Sequence, residues 1–151
     1  MLLCTDGSEL ATGALATGRR LLGPDAVRVV VTVADVPDPG LLEGGGLGGP
    51  VVTPDEFDQH VQRGEAEARA IVDRTVEALG LTGADTYVLG GDPAAAICQL
   101  AEDLSAEAIV VGSRGRGGLR RAVLGSVSDH VVRNAPCTVV VTGDRGSSAV
   151  G

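Results

Sequence analysis

Residues Val110–Val127 read VVGSRGRGGLRRAVLGSV. An apolar run feeds into Gly112 and Gly115, and after nine intervening residues Gly125-Ser126 opens an amphipathic segment. The pattern is that of a buried strand, a glycine-rich loop and a helix. Glycines leave room for backbone N–H groups to close on an anion. A helix N-terminus adds unpaired donors and partial positive charge. Ser126 brings a hydroxyl to that terminus, and Arg114, Arg116, Arg120 and Arg121 lie within the same stretch of a chain with formal charge −8. The segment reads as a phosphate-binding loop in an acidic protein.

Composition narrows the class. The 151 residues fit one domain with one core. Phe57 and Tyr87 are the only aromatics, so the core must be built from Val, Leu, Ile and Ala. β-branched runs supply strands and alanine-rich runs supply helices. Lysine is absent, which excludes Schiff-base catalysis and a Walker A loop. The negative charge argues against nonspecific nucleic-acid binding. Cys4, Cys98 and Cys137 are odd in number, lack CxxC spacing and sit in or beside apolar segments. They read as buried free thiols of a reducing cytosol. No charged-then-apolar leader opens the chain and no apolar run approaches ~18 residues, so a cytoplasmic protein without a membrane partner is expected. His60 and His130 lack partners at metal-ligand spacing, and no GxSxG elbow is present.

Working outward from the loop, strands alternate with helices. Met1–Cys4 is a first strand, followed by a Ser8-capped helix reaching about Leu22 before Gly23. Val27–Val33 is a β-branched second strand. Thr53-Pro54-Asp55-Glu56 forms a capping box with proline at the first helical position, opening a helix that ends at Gly80. Thr86–Leu89 is a third strand. Asp92-Pro93 starts a helix to about Leu104, and Ala108–Val111 is a fourth strand. A helix over Ser126–Arg133 and a last strand over Cys137–Val141 complete the series. This order predicts an open, twisted, mostly parallel five-stranded α/β sheet of Rossmann-like type with helices on both faces. Ligands of such sheets bind beyond the carboxyl ends of the strands, where strand order reverses. One domain over residues 1–142 is expected, with a flexible Gly/Pro-rich loop over 37–52 and a disordered tail over 143–151. Gly44–Gly49 formally matches GxGxxG but neither follows a strand closely nor opens a helix, so it reads as linker.

The spacing Gly112, two residues, Gly115, nine residues, Gly125-Ser126 resembles the nucleotide-binding signature of the universal stress protein family, in its ATP-binding branch. Thr5-Asp6-Gly7-Ser8, Gly91-Asp92-Pro93-Ala94 and Asn134-Ala135-Pro136-Cys137 are similar to that family as well, so the likeness runs from about Met1 to Val141. It implies an adenine-nucleotide-binding sensor or regulator of the stress response. Thr5 and Asp6 would face the adenosine, the Val33 backbone would read the adenine edge, and Val111 would pack against adenosine. Gly112 and Gly115 would approach ribose and phosphates; Gly125, Ser126 and Val127 would hold the phosphates, Ser128 would add a hydroxyl, and Arg114 would close over them. Mg2+ would be held mainly through the phosphates. The resemblance also implies a homodimer through the last strand, Thr138–Val141. Two alternatives stand beside it: an interaction module of the same fold that binds no ATP or another adenine nucleotide, and a slow ATP-hydrolysing enzyme. No general base can be named beside the loop, so catalysis is not expected. Cys4 stands where the family often has proline, and the first strand is short.

Overall fold

The computed structural model describes residues 1–23, 26–37, 53–113 and 124–143. Within them the chain runs β1 (Leu2–Cys4), α1 (Glu9–Leu21), β2 (Val29–Val33), α2 (Pro54–Leu79), β3 (Asp85–Leu89), α3 (Pro93–Asp103), β4 (Ala108–Gly112), α4 (Ser126–Asn134) and β5 (Thr138–Thr142). The strands form one sheet in the order β3-β2-β1-β4-β5. Every pairing is parallel, including both edges. The expected loop over 37–52 and tail over 143–151 fall outside the described residues, apart from Pro37 and Gly143.

Strand alternation sorts the core into two layers. Leu2, Cys4, Val29, Val31 and Ile109 face α3 and α4, packing on Ala94, Ile97, Ala101 and Val131. Leu3, Val30 and Val110 face the other way, onto Leu15 of α1 and Val72 and Leu79 of α2. Gly18 lets α1 settle on β4, since a Cβ there would collide with a methyl of Val110.

The cap chemistry read from sequence accounts for the helix starts. Ser8 Oγ accepts from the Ala11 N–H at 3.1 Å, Asp92 Oδ1 accepts from the Ala95 N–H at 2.8 Å, and Thr53 with Glu56 closes a reciprocal capping box. Gly80 ends α2 in the left-handed conformation, with φ +60°. Two expectations are corrected. β2 begins at Val29, and Val27 is 75% exposed because no strand pairs with it. Of the three free thiols only Cys4 is buried; Cys98 and Cys137 lie half-buried at the margin of the α3–α4 layer. Among the described residues no helix is long and apolar enough to cross a membrane.

Candidate functional site

β1 is the central strand and the shortest. Its ladder ends at Cys4, which pairs with Val31 on one side and Val111 on the other. β2 continues to Val33 and β4 to Gly112, so the carboxyl edge of the sheet carries a notch where β1 leaves it. Strand order also reverses here, because the chain moves toward β3 after β1 and toward β5 after β4.

Parity fixes which way the β2 backbone looks. The Val29 N–H donates to the Met1 carbonyl and the Val31 carbonyl accepts from the Thr5 N–H, both toward β1, whereas the Ala34 N–H donates to Leu89 of β3. Val33 shares the parity of Val29 and Val31, so its N–H and C=O point toward the β1 side, above the last ladder pair.

The chain leaves β1 through a tight, internally bonded turn. Thr5 Oγ1 accepts from the Gly7 N–H at 3.0 Å. Asp6 Oδ1 accepts from the Ser8 N–H at 3.0 Å and from Ser8 Oγ at 2.7 Å. Gly7 sits at φ +80°, and a Cβ there would come within 2.8 Å of Ile71 Cγ1. Beneath the turn, Thr32 Oγ1 donates to the Thr5 carbonyl at 2.8 Å. Cys4, the last paired residue of β1, is buried with its thiol in the α3–α4 layer, and its pKa is pushed up to about 12 by burial first and then by the neighbouring Cys98 and Cys137. It stays neutral at physiological pH and sets no negative charge under the notch.

The opposite wall is the end of β4 and the start of α4. The Ser113 N–H donates to the Thr142 carbonyl of β5 at 2.7 Å, and the Ser113 carbonyl accepts from the Gly125 N–H at 2.9 Å. Gly125 is the N-cap of α4 and makes no side-chain cap hydrogen bond, unlike the residues that cap α1, α2 and α3. The first-turn amides of Ser126, Val127 and Ser128 therefore lack the capping side chain the other helices possess. Asp129, also in the first turn, is occupied by Arg133 at 3.0 Å, whose hydrogen bond holds its carboxyl below the usual range.

The structure places the expected residues as follows. Thr5, Asp6, Val33, Gly112, Gly125 and Ser126 flank the notch or border the loop closure. Val111 is buried in register with Cys4 and Val141. Val127 is half-buried and packs on the α3–α4 layer. Ser128 is 2% exposed, and its hydroxyl reaches the Gly125 carbonyl at 3.0 Å and the Ser113 carbonyl at 3.3 Å. That proton is engaged with the backbone, so Ser128 fastens the wall. Arg114 and Gly115, with Arg116, Arg120 and Arg121, lie outside the described residues.

Three contributors escaped the sequence reading. Ser113 acts through its backbone, which no residue type advertises. Thr75 is polar yet 2% exposed, with Oγ1 3.5 Å from Thr5 Oγ1. Gly64 lies under the end of β2, where a Cβ would come within 2.5 Å of the Asp35 carbonyl. Among the described residues no group of three or more His, Cys, Asp or Glu is placed to hold a metal.

Comparison with known proteins places this geometry. Residues 1–143 match the universal stress protein family. A Thermus aquaticus relative, "Universal stress protein in QAH/OAS sulfhydrylase 3'region", is 35% identical over 144 residues, covering 93% of this chain and 96% of its own. The universal stress protein UspA from Lactobacillus plantarum superposes with a TM-score of 0.67 at 23% identity, over 93% of this chain and 94% of that one. A universal stress protein in complex with cAMP gives 0.60 at 21% identity over 93% of each chain. One from Arabidopsis thaliana with AMP bound gives 0.56 at 20% identity over 93% and 88%. At these identities the structural likeness shows the fold.

Proposed function

This chain belongs to the universal stress protein family, and from that premise we propose that it binds ATP in the notch above β1 and acts as a cytoplasmic sensor or regulator of the stress response. The observation carrying this reading is the meeting of two unlike walls at one edge of the sheet. One offers the Val33 backbone and the Asp6 turn, the other the α4 N-terminus without a capping side chain. The first suits a flat heterocycle with donors and acceptors on its rim, together with ribose hydroxyls. The second suits an anion.

In this reading Asp6 takes hydrogen bonds from the adenosine and Val111 supplies apolar contact. Gly112 and Gly115 admit the ribose and phosphates. The Ser126 hydroxyl and the amides of Ser126 and Val127 hold the phosphates, with Arg114 closing over them. Ser128 acts indirectly, by holding Ser113 to Gly125. Mg2+ would neutralise charge on the phosphates and be held mainly through them. Charge-assisted hydrogen bonds of ~1.5–3 kcal/mol each, with base burial, suffice for micromolar affinity, about −8 kcal/mol.

Calorimetry with Mg-ATP tests this directly. Wild-type protein should bind, Gly115→Val should lose binding because a branched side chain takes the space of a phosphate, and Ser126→Ala should weaken it. Equal affinity in folded wild type and Gly115→Val would sink the assignment of the loop. No general base can be named from the sequence beside the loop, so we expect turnover far below the ~1–10³ s⁻¹ usual for enzymes.

A second reading keeps the site and changes the ligand. Structural neighbours hold cAMP and AMP, so competition of those two nucleotides against ATP discriminates them. We also propose a homodimer through Thr138–Val141, because β5 lies at a sheet edge with Val139, Val140 and Val141 only half-buried.

A further inference from the structure

One helix touches both sides of the adenosine half of the notch. At its N-terminal half, α2 presses Gly64 against the backbone after β2, so closely that a Cβ would sit 2.5 Å from the Asp35 carbonyl and 3.2 Å from Val36 Cγ1. Two to three turns further on, Ile71 fills the space beside Gly7, and Thr75 Oγ1 lies 3.5 Å from Thr5 Oγ1. The same Thr5 oxygen receives the Gly7 N–H. Thr75 is itself fixed by donating to the Ile71 carbonyl at 2.8 Å. The segment after β2 and the turn after β1 are therefore joined through one helix.

One flank of α2 is open. Between α1 and α2, beside Gly7, lies an open groove of about 440 Å³ lined by Glu9, Thr12, Ile71, Arg74 and Ala78. Only the Arg19 guanidinium, donating to the Leu79 carbonyl at 2.5 Å, ties the end of α2 across to α1 among the side-chain hydrogen bonds of the described residues. The rest of α2 is held by apolar packing of Val72 and Leu79 on the sheet, and its contacts with the notch add to that packing.

We propose that Gly64 and Thr75 are positioning residues of the ligand site, and that α2 is the element whose placement is coupled to what the notch holds. The ligand half of this rests on the nucleotide reading; the mechanical half does not. A ligand that needs Asp6 and Val33 at one fixed separation selects one placement of α2. By reciprocity, anything that moves α2 changes affinity by the same factor.

Amide exchange followed residue by residue tests both halves. In ligand-free protein, Thr75→Val should speed exchange of the Gly7 amide and Thr75→Ser should restore it, because only the hydroxyl is at stake. Unchanged exchange in folded Thr75→Val overturns the mechanical half. On adding Mg-ATP to wild type, exchange should slow along residues 64–75 and stay unchanged in α3, on the opposite face. Gly64→Ala should weaken ATP and adenosine about tenfold, within the usual range of coupling between sites, while inorganic tripolyphosphate binds as before. Bound ATP with no slowing in α2 overturns the coupling, and equal loss of tripolyphosphate binding marks Gly64→Ala as a general structural defect and overturns the positioning role. A wild type that binds no ATP overturns the nucleotide reading instead, and the Thr75 pair then decides the mechanical half alone. Should Gly64→Ala fail to fold, the wild-type exchange experiment still decides.

Discussion

The Gly125 N–H donates to the Ser113 carbonyl at 2.9 Å, so the segment between them begins and ends at one point. The Ser113 N–H is anchored in turn to Thr142 of the edge strand. Closing a loop costs entropy, and this hydrogen bond fixes both ends of the segment before any ligand arrives. Gly125 has φ −70°, a value proline adopts without strain. Gly125→Pro therefore keeps the cap dihedral but deletes this donor and turns the ring Cδ toward the Ser113 carbonyl, so the closure must open. It should lower stability by more than the ~1 kcal/mol of a lone hydrogen bond and weaken ATP binding, measured by urea titration and calorimetry. Unaltered affinity would show that the closure does not prepare the loop.

Two glycines of α1 should respond to alanine with opposite signs. A Cβ at Gly18 meets a Val110 methyl, whereas one at Gly13 meets nothing within 4 Å. Gly13→Ala should stabilise by up to about 1 kcal/mol through helix propensity. Gly18→Ala should destabilise by about 1–3 kcal/mol through overpacking. Adding Val110→Ala to Gly18→Ala should cost less than the sum of the two single changes, since they share one contact. Chemical denaturation of the four variants reads this out.

Alkaline pH should expose the burial of Cys4. Its pKa rises from an ordinary 9.0 to about 12 in the folded state. Below the unfolded value both states keep the proton and nothing is lost. Above it the unfolded chain releases the proton while the folded chain retains it. Stability then falls as pH rises through that window, by at most about 1.4 kcal/mol per pH unit from this group. Cys4→Ala should be less stable at neutral pH and show a flatter decline above it. Parallel declines in variant and wild type would assign the alkaline loss to other groups.

The β5 edge is tested by light scattering. Thr142 bonds to Ser113 of β4 and Val140 shares its parity, so Val139 and Val141 turn their backbone groups to the open edge, and Val139→Pro removes a donor there and clashes with a strand paired alongside. A dimer built on Thr138–Val141 should dissociate in this variant while helical content stays unchanged. A wild type that is monomeric at tens of micromolar would rule the dimer out.

Much of the architecture was legible because local signals agreed with one another. Thr53, Pro54 and Glu56 could mean little but a helix start, and VVVTV over residues 29–33 little but a buried parallel strand. Parallel pairing followed from the alternation of strands and helices, whereas the order β3-β2-β1-β4-β5 was not read from the chain. Less of the candidate site was legible. Asp6, Gly125 and Ser126 stand at chain turns, where residue type and backbone role coincide. Thr75 stands mid-helix, where a threonine reads as neutral surface, and its burial depends on α2 crossing the β1 turn seventy residues away in sequence. Gly64 looks like a flaw in a helix until the Asp35 carbonyl is placed beneath it. Contacts at that separation leave no periodic trace in the chain.

The early end of β1 makes strand length a depth gauge. Each residue of a strand advances about 3.3 Å, so the overhang of β2 from Val31 to Val33 gives a recess roughly 7 Å deep, about the breadth of a fused-ring heterocycle. Side-chain substitution on the walls can change which atoms line that recess but not how far down its floor lies. One residue more of paired β1 would raise the floor by a full step, which makes the register of a three-residue strand a coarse setting of ligand size.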